Sequence, residues 1–407
     1  MDISILKNKP IAVLGAGGVG KPIAGDSALA GARVRIWDQP GFAERTLANI
    51  EKFGIRIEGL QMNMYSYQRS GFGYPELVTD DMAEAVRGAG IIVVAVVASA
   101  HEALFRQLIP LLEDGQVIHI IPDNFGTLLL RKMMLEADCR KKVVVGGWAT
   151  SPYGARIVSE GGFTTNICDI RDRVIMLRGA ALPDTDSADF IESARLIPAF
   201  DLITNGLGYQ HADTVLDTCF SNANPVIHVP GTILGVAVLQ NFETVLGHKM
   251  ADFSMYAHCL CPAIGMVAAD FWHEQECIAK AMNVGIAPVK REEYFSRSTM
   301  YGHEYMGPDY AVPFEENIPH KYGDGPFSLE NRYITEDVPV GCYMYQQLAR
   351  QYNVPTPTID AMIHLANTII GRDLTAGGYT LDYVGIGHMT PSQLQLWLRQ
   401  GVYTPAA

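Results

Sequence analysis

The segment Ile11 to Gly20 constrains the fold more than any other part of the chain. It runs as an apolar strand, Ile11 to Leu14, into a Gly15-x-Gly17-x-x-Gly20 turn. A second apolar run, Val34 to Trp37, follows and ends on an acid, Asp38. In such a turn the first glycine permits the tight bend and the second lets the backbone approach a pyrophosphate. The third lets the helix pack close to the strand, leaving phosphates at the positive helix N-terminus. An acid at the end of the second strand accepts hydrogen bonds from the adenine ribose hydroxyls. The pattern therefore predicts a dinucleotide-binding unit with Gly15, Gly17, Gly20 and Asp38 as cofactor-binding residues. Asp38 further predicts NAD (NADH) in preference to NADP, because a carboxylate repels a 2′-phosphate and no basic cluster follows it.

Beyond this unit, Ile91 to Val97 and Gln116 to Pro122 are continuous apolar runs, the pattern of strands buried on both faces. Val143 to Gly146 and Arg173 to Leu177 add further strands, with helices over Asp81 to Arg87 and Ala103 to Leu112. From Thr185 the period becomes helical, over Ser187 to Leu196, Ser254 to Met282, Val340 to Tyr352, Pro357 to Ile370 and Ser392 to Leu398. The expected fold is α/β: an N-terminal Rossmann doubly wound sheet over residues 1–184, then a mostly α-helical C-terminal domain over 185–407. A length of 407 residues suits two domains better than one core. The stretch Pro288 to Asp337, rich in Tyr, Gly and Pro, is expected to form an ordered lid.

Composition excludes several function classes. A net charge of -13 without clustered Lys and Arg argues against nucleic-acid partners. The longest apolar run, Ile91 to Ala100, is too short to span a bilayer. The N-terminal residues lack the layout of a signal peptide, so a cytoplasmic protein is expected. Seven scattered cysteines, odd in number, read as reduced packing residues, and no metal-ligand spacing is found.

A two-domain dehydrogenase needs a proton donor and an anchor for a polar substrate. His228, in Asn224-Pro225-Val226-Ile227-His228-Val229-Pro230, is the first candidate, read either as an acid/base or as a satisfied core histidine between interrupting prolines. In Asn331-Arg332-Tyr333-Ile334-Thr335-Glu336-Asp337-Val338-Pro339, Asp337 reads as the N-cap of the next helix or as a catalytic carboxylate. Arg332 reads as a surface residue or as a two-point grip on a carboxylate. His101, after a sheet strand, reads as a helix start or a ligand contact. His273-Glu274-Gln275-Glu276 reads as a solvated helix face, and the Met and aromatic residues of Met255 to Trp272 as core.

Taken together, the glycine turn, the Asn224-Pro225-x-x-His228 segment, the Arg332-Tyr333-x-x-Glu336-Asp337-Val338-Pro339 segment and the final Asp382-Tyr383-Val384-Gly385-x-Gly387 resemble the octopine/nopaline (opine) dehydrogenase family. The resemblance spans nearly the whole chain. It implies an NAD(P)-dependent oxidoreductase acting on CH-NH. Such enzymes join an amino acid, or another amine, to a 2-keto acid such as pyruvate and reduce the imine to a secondary amine dicarboxylate. It also implies His228 as general acid/base, Asp337 as its polarising partner and Arg332 as the substrate-binding cation. The partners are then small molecules, with neither nucleic acid nor membrane, in a cytoplasmic enzyme compatible with a homodimer. An NAD-dependent alcohol or hydroxy-acid dehydrogenase would use the same histidine without an amine, whereas a non-catalytic NAD-binding regulator would have no use for the His-Arg-Asp set.

Overall fold

A computed structural model describes residues 2–58, 69–160, 163–174, 176–288 and 325–405. The described chain forms two compact units. The first comprises residues up to Thr218 with a returning segment, Ser392–Thr404, and the second is centred on Cys219–Pro391.

In the first unit the apolar runs become strands. In chain order they are β1 (Ile11–Leu14), β2 (Val34–Trp37), β3 (Ile55–Glu58), β4 (Gly71–Gly73), β5 (Leu77–Thr79), β6 (Ile91–Val94), β7 (Val117–Ile120), β8 (Val144–Trp148), β9 (Tyr153–Glu160), β10 (Phe163–Arg173), β11 (Met176–Ala181) and β12 (Gly208–His211). Eight of them build one sheet in the order β12-β11-β8-β7-β6-β1-β2-β5. The pairings from β8 to β5 are parallel, and β11 joins β8 antiparallel. Every residue of β1, β6, β7 and β8 is buried, as continuous apolar runs require when helices cover both faces. The glycine turn lies after β1, which is flanked by β2 on one side and β6 on the other. This is the point where the strand order reverses and ligands bind in doubly wound sheets.

Three expectations change in this unit. The boundary read at 184/185 moves to 218/219, because β12 adds to the sheet in parallel beside β11 and keeps the segment after Thr185 with the sheet. The run Arg173 to Leu177 is divided between β10, in a separate four-stranded sheet of order β4-β3-β10-β9, and β11. The C-terminal helix Pro391–Gln400 packs with the first unit rather than the second, and Arg399 pairs there with Asp213 at 3.0 Å. The helix after the glycine turn, Gly20–Leu29, is pinned to the smaller sheet by buried Asp26, which meets the Arg173 guanidinium at 2.7 Å and accepts from the Tyr153 hydroxyl. Burial and the neighbouring Asp26 charge hold the Tyr153 phenol well above its ordinary range.

The second unit is helical, with helices Asn224–Leu234, Met255–His258, Pro262–Met282, Arg332–Thr335, Tyr343–Gln351 and Pro357–Ile370. The single helix expected over Ser254 to Met282 is broken because Pro262 starts a new one, at the position where its missing N–H is not needed. Glu274 and Gln275 are buried rather than solvated. The Glu274 carboxylate accepts from the Thr358 and Ile359 amides at 2.7 and 2.9 Å and so caps the Pro357–Ile370 helix, an interaction no local pattern announces. His273, beside it, is exposed. Cysteines 168, 219, 259 and 342 are buried, but Cys261 is exposed and Cys139 and Cys277 are half-buried, so the packing reading fits only the first four. Among the described residues no helix is long and apolar enough to cross a membrane. Most of the stretch read as a lid, Pro288 to Asp337, lies outside the described residues.

Candidate active site

In the glycine turn each glycine does a different job. Gly15 has φ +106°, and a Cβ there would stand 2.6 Å from the Ala95 carbonyl oxygen. Its amide donates to the Trp37 carbonyl at 2.9 Å, tying the turn to β2. A Cβ on Gly20 would lie 1.9 Å from the Gly15 carbonyl oxygen, so the helix can approach the turn only without a side chain. A Cβ on Gly17 would meet nothing within 4 Å, which leaves open space over the backbone. This is the geometry a pyrophosphate needs: two glycines shape the turn and the middle one faces room for the ligand. The Asp38 carboxylate accepts from the Ala16 amide at 3.3 Å and the Gln39 amide at 2.8 Å, which fixes the acid beside the turn. These residues fit a dinucleotide.

Lys21, which sequence reasoning passed over, is buried directly after Gly20, and desolvation lowers its pKa to about 8. His101 opens the His101–Leu108 helix, buried and stacked on Phe105 with centroids 5.2 Å apart. Burial pushes its pKa down to about 4, so it is a neutral, packed imidazole.

The helical unit holds the second cluster. Pro225 occupies the first turn of the Asn224–Leu234 helix and Pro230 sits inside it, so the prolines flanking His228 are absorbed by one helix rather than interrupting structure. Opposite this helix, residues Asp337–Cys342 form a wide π-type turn, a distortion that often marks functional sites. The two approach closely at Gly341, where a Cβ would stand 2.6 Å from Pro225. That approach brings Asp337 Oδ2 to 2.7 Å from His228 Nδ1. The N-cap reading of Asp337 gives way accordingly. Its carboxylate faces the imidazole, and the side-chain cap in this region belongs to Asn331, which accepts from the Tyr333 amide at 3.2 Å.

The other faces of His228 were not anticipated. The Tyr256 hydroxyl lies 2.7 Å from Nε2, in a hydrogen bond whose direction follows the protonation of the ring. The Tyr333 ring stacks on the imidazole, with centroids 3.7 Å apart and planes within 7°. Tyr333 lies inside the Arg332-Tyr333 motif and could have been singled out from it. Tyr256 was grouped with core aromatics, and nothing in its local sequence points to a partner in another helix.

Burial raises the Asp337 carboxyl to about 7, and the charge of Arg332 opposes that rise. The carboxyl is thus raised into the range where an imidazole ordinarily titrates, beside the ring to which it is hydrogen-bonded. Arg332, in the one-turn helix Arg332–Thr335, is exposed, and its charge acts on Asp337. The final motif is a tight turn: Gly385 has φ +81°, and a Cβ on Gly387 would stand 2.2 Å from the Asp382 carboxylate.

The chain is similar to several known proteins. Residues 211–370 match the family described as NAD/NADP octopine/nopaline dehydrogenase, alpha-helical domain. That span contains His228, Arg332 and Asp337. An opine dehydrogenase of Arthrobacter sp. (strain 1C) is 27% identical over 394 residues, covering 96% of this chain and 99% of that protein. A vitopine synthase of Allorhizobium ampelinum is 24% identical over 395 residues, covering 94% and 97%. Among solved structures, octopine dehydrogenase with NADH and pyruvate shares the fold with a TM-score of 0.64 at 19% identity, covering 89% of each chain.

Proposed function

The chain belongs to the NAD/NADP octopine/nopaline dehydrogenase family, and on that premise we propose that it is an opine-type dehydrogenase, condensing the amine of an amino acid with a 2-keto acid such as pyruvate and reducing the product to a secondary amine dicarboxylate. The observation that carries this reading is the Asp337–His228 pair, 2.7 Å apart and buried in the helical unit, with the Arg332 cation on the adjoining turn. The glycine turn and Asp38 support NADH as the reductant, which when bound supplies the hydride.

His228 is the acid/base. Condensation releases a proton from the attacking amine and delivers one to the departing carbonyl oxygen, a task suited to an imidazole held by a carboxyl partner. Asp337 fixes the ring orientation through Nδ1 and favours the imidazolium whenever the proton resides on the ring. Arg332 holds a substrate carboxylate, which lies next to the reacting carbon in a 2-keto acid. A planar guanidinium binds both carboxylate oxygens where an ammonium cannot, so Arg332→Lys raises KM for the keto acid more than it lowers kcat.

NADH oxidation across a matrix of 2-keto acids and amines tests the proposal. Slow oxidation with the keto acid alone and strong acceleration by a particular amine are expected. Equal rates with and without every amine would instead indicate a hydroxy-acid dehydrogenase.

A further inference from the structure

His228 is held at both nitrogens: Asp337 stands at Nδ1 and the Tyr256 hydroxyl at Nε2, each at 2.7 Å. His228 is 4% exposed and Tyr256 9%, so the imidazole and the hydroxyl are shielded together. Tyr333 covers one face of the imidazole. Among the described residues, the Tyr256 oxygen is the hydrogen-bond partner of Nε2 and so stands where a proton leaving that nitrogen can be taken up.

The tyrosine ring packs in an apolar cluster with Ile227, Phe253, Leu260 and Ile264. It lies edge-on to both His228 and Tyr333, at interplanar angles of 76° and 79°. Packing of that kind needs only a phenyl ring. The hydroxyl adds a group that can donate and accept at once, at the nitrogen opposite the carboxylate.

Resting on the reductive-condensation reading above, we propose that Tyr256 is a catalytic residue of that reaction, its hydroxyl passing the proton between His228 Nε2 and the substrate oxygen that leaves as water. In the dehydration step the carbinolamine C–O bond breaks and its oxygen takes the Tyr256 proton. The Tyr256 oxygen takes the proton from Nε2 in the same event, so no phenolate accumulates. The nitrogen lone pair forms the C=N bond, water departs, and the iminium is ready for hydride. His228, left neutral, recovers a proton of the kind that amine attack releases. Asp337, at the far nitrogen, stabilises the ring in its charged form.

The test is steady-state reductive condensation by full-length Tyr256→Phe, with NADH, pyruvate and the amine that gives the highest wild-type rate, measured across mixtures of light and heavy water. The relay predicts kcat lower by about tenfold to a hundredfold, with KM for pyruvate little changed. It also predicts a curved dependence on deuterium fraction in the wild type, because more than one proton moves together, and a linear one in the variant. A kcat within a few-fold of wild type with the curvature retained overturns the relay. Thermal melting checks that Tyr256→Phe folds. If it does not, a fluorinated tyrosine at position 256 keeps the shape but acidifies the phenol. The relay then predicts a displaced pH–kcat profile, and an unmoved profile overturns it. A wild type that forms only a hydroxy acid removes the condensation reading and the relay together. Normal condensation with an unimpaired Tyr256→Phe removes the relay alone.

Discussion

His119 in the sheet unit and His228 in the helical unit are both buried, both hydrogen-bonded at each ring nitrogen, and both stacked against an aromatic ring. Their partners make them opposites. His119 Nδ1 accepts from the Trp148 indole at 3.1 Å, and an indole N–H can only donate. The proton must therefore sit on Nε2, 3.0 Å from Ser193 Oγ, which in turn donates to the Phe190 carbonyl at 2.7 Å. The tautomer is locked, and burial among Trp148 and Phe190 pushes the pKa down to about 3. His228 has a carboxyl group at one nitrogen and a phenol at the other, both able to change the proton they share. Burial alone makes a histidine inert, and on the proposed reading the titratable partner in the same enclosure makes His228 a proton carrier.

Substitution at His228 is the strongest way to break this contrast. His228→Ala is expected to lower turnover by about 10² to 10⁴, the worth of a positioned acid/base, with cofactor affinity little changed. Turnover near wild type would place His228 in the same class as His119. Asp337→Asn keeps the shape but removes the titrating partner, so its rate should fall between wild type and His228→Ala, with a displaced pH–kcat profile. An unmoved profile would show that the carboxyl has no part in the chemistry.

His119 makes the complementary prediction, in stability. Its folded pKa lies below the ordinary 6.5, so the unfolded chain binds a proton that the folded chain refuses. Its contribution is therefore fully present above pH 6.5 and is lost as pH falls toward about 3. The slope is at most about 1.4 kcal/mol per pH unit. Denaturant melts between pH 4 and 7 should show a shallower acid loss for His119→Asn than for wild type, with kcat per folded molecule preserved. Gly17→Ala sharpens the picture with the smallest effect on the fold. No atom lies within 4 Å of the added carbon, so the melting temperature should hardly move while NADH affinity measured by fluorescence titration falls. Unchanged affinity would mean that the dinucleotide does not approach that backbone.

The two regions also differ in how far the sequence revealed them. The glycine turn is a contiguous element whose steric demands are set by near neighbours, so spacing alone anticipated the turn geometry at Gly15, Gly17 and Gly20 and the position of Asp38 beside it. The sheet was legible for the same reason, up to the point where β12 joined it through a pairing with β11 that no local pattern encodes. The His228 cluster is assembled from three separate stretches of chain. Asp337 could not be distinguished from a helix cap by its own surroundings, because Pro339 after an acid resembles a helix start. The resemblance to the opine dehydrogenases paired it with His228, but Tyr256 lay outside every motif and only the packing of the Met255–His258 helix against the Asn224–Leu234 helix shows its hydroxyl. Glu274, which reads locally as part of a solvated face, hides its capping role for the same reason, since the amides it caps belong to another helix.

The central claim is that the chain reduces a carbon–nitrogen bond made from two small molecules. Its most direct test is mass spectrometry of the product formed from NADH deuterated at the transferred position, a keto acid and an amine. The account predicts a secondary amine dicarboxylate carrying the deuterium on the carbon that was the keto carbonyl, and no such product from His228→Ala. A deuterated hydroxy acid, formed equally with and without amine, would contradict it.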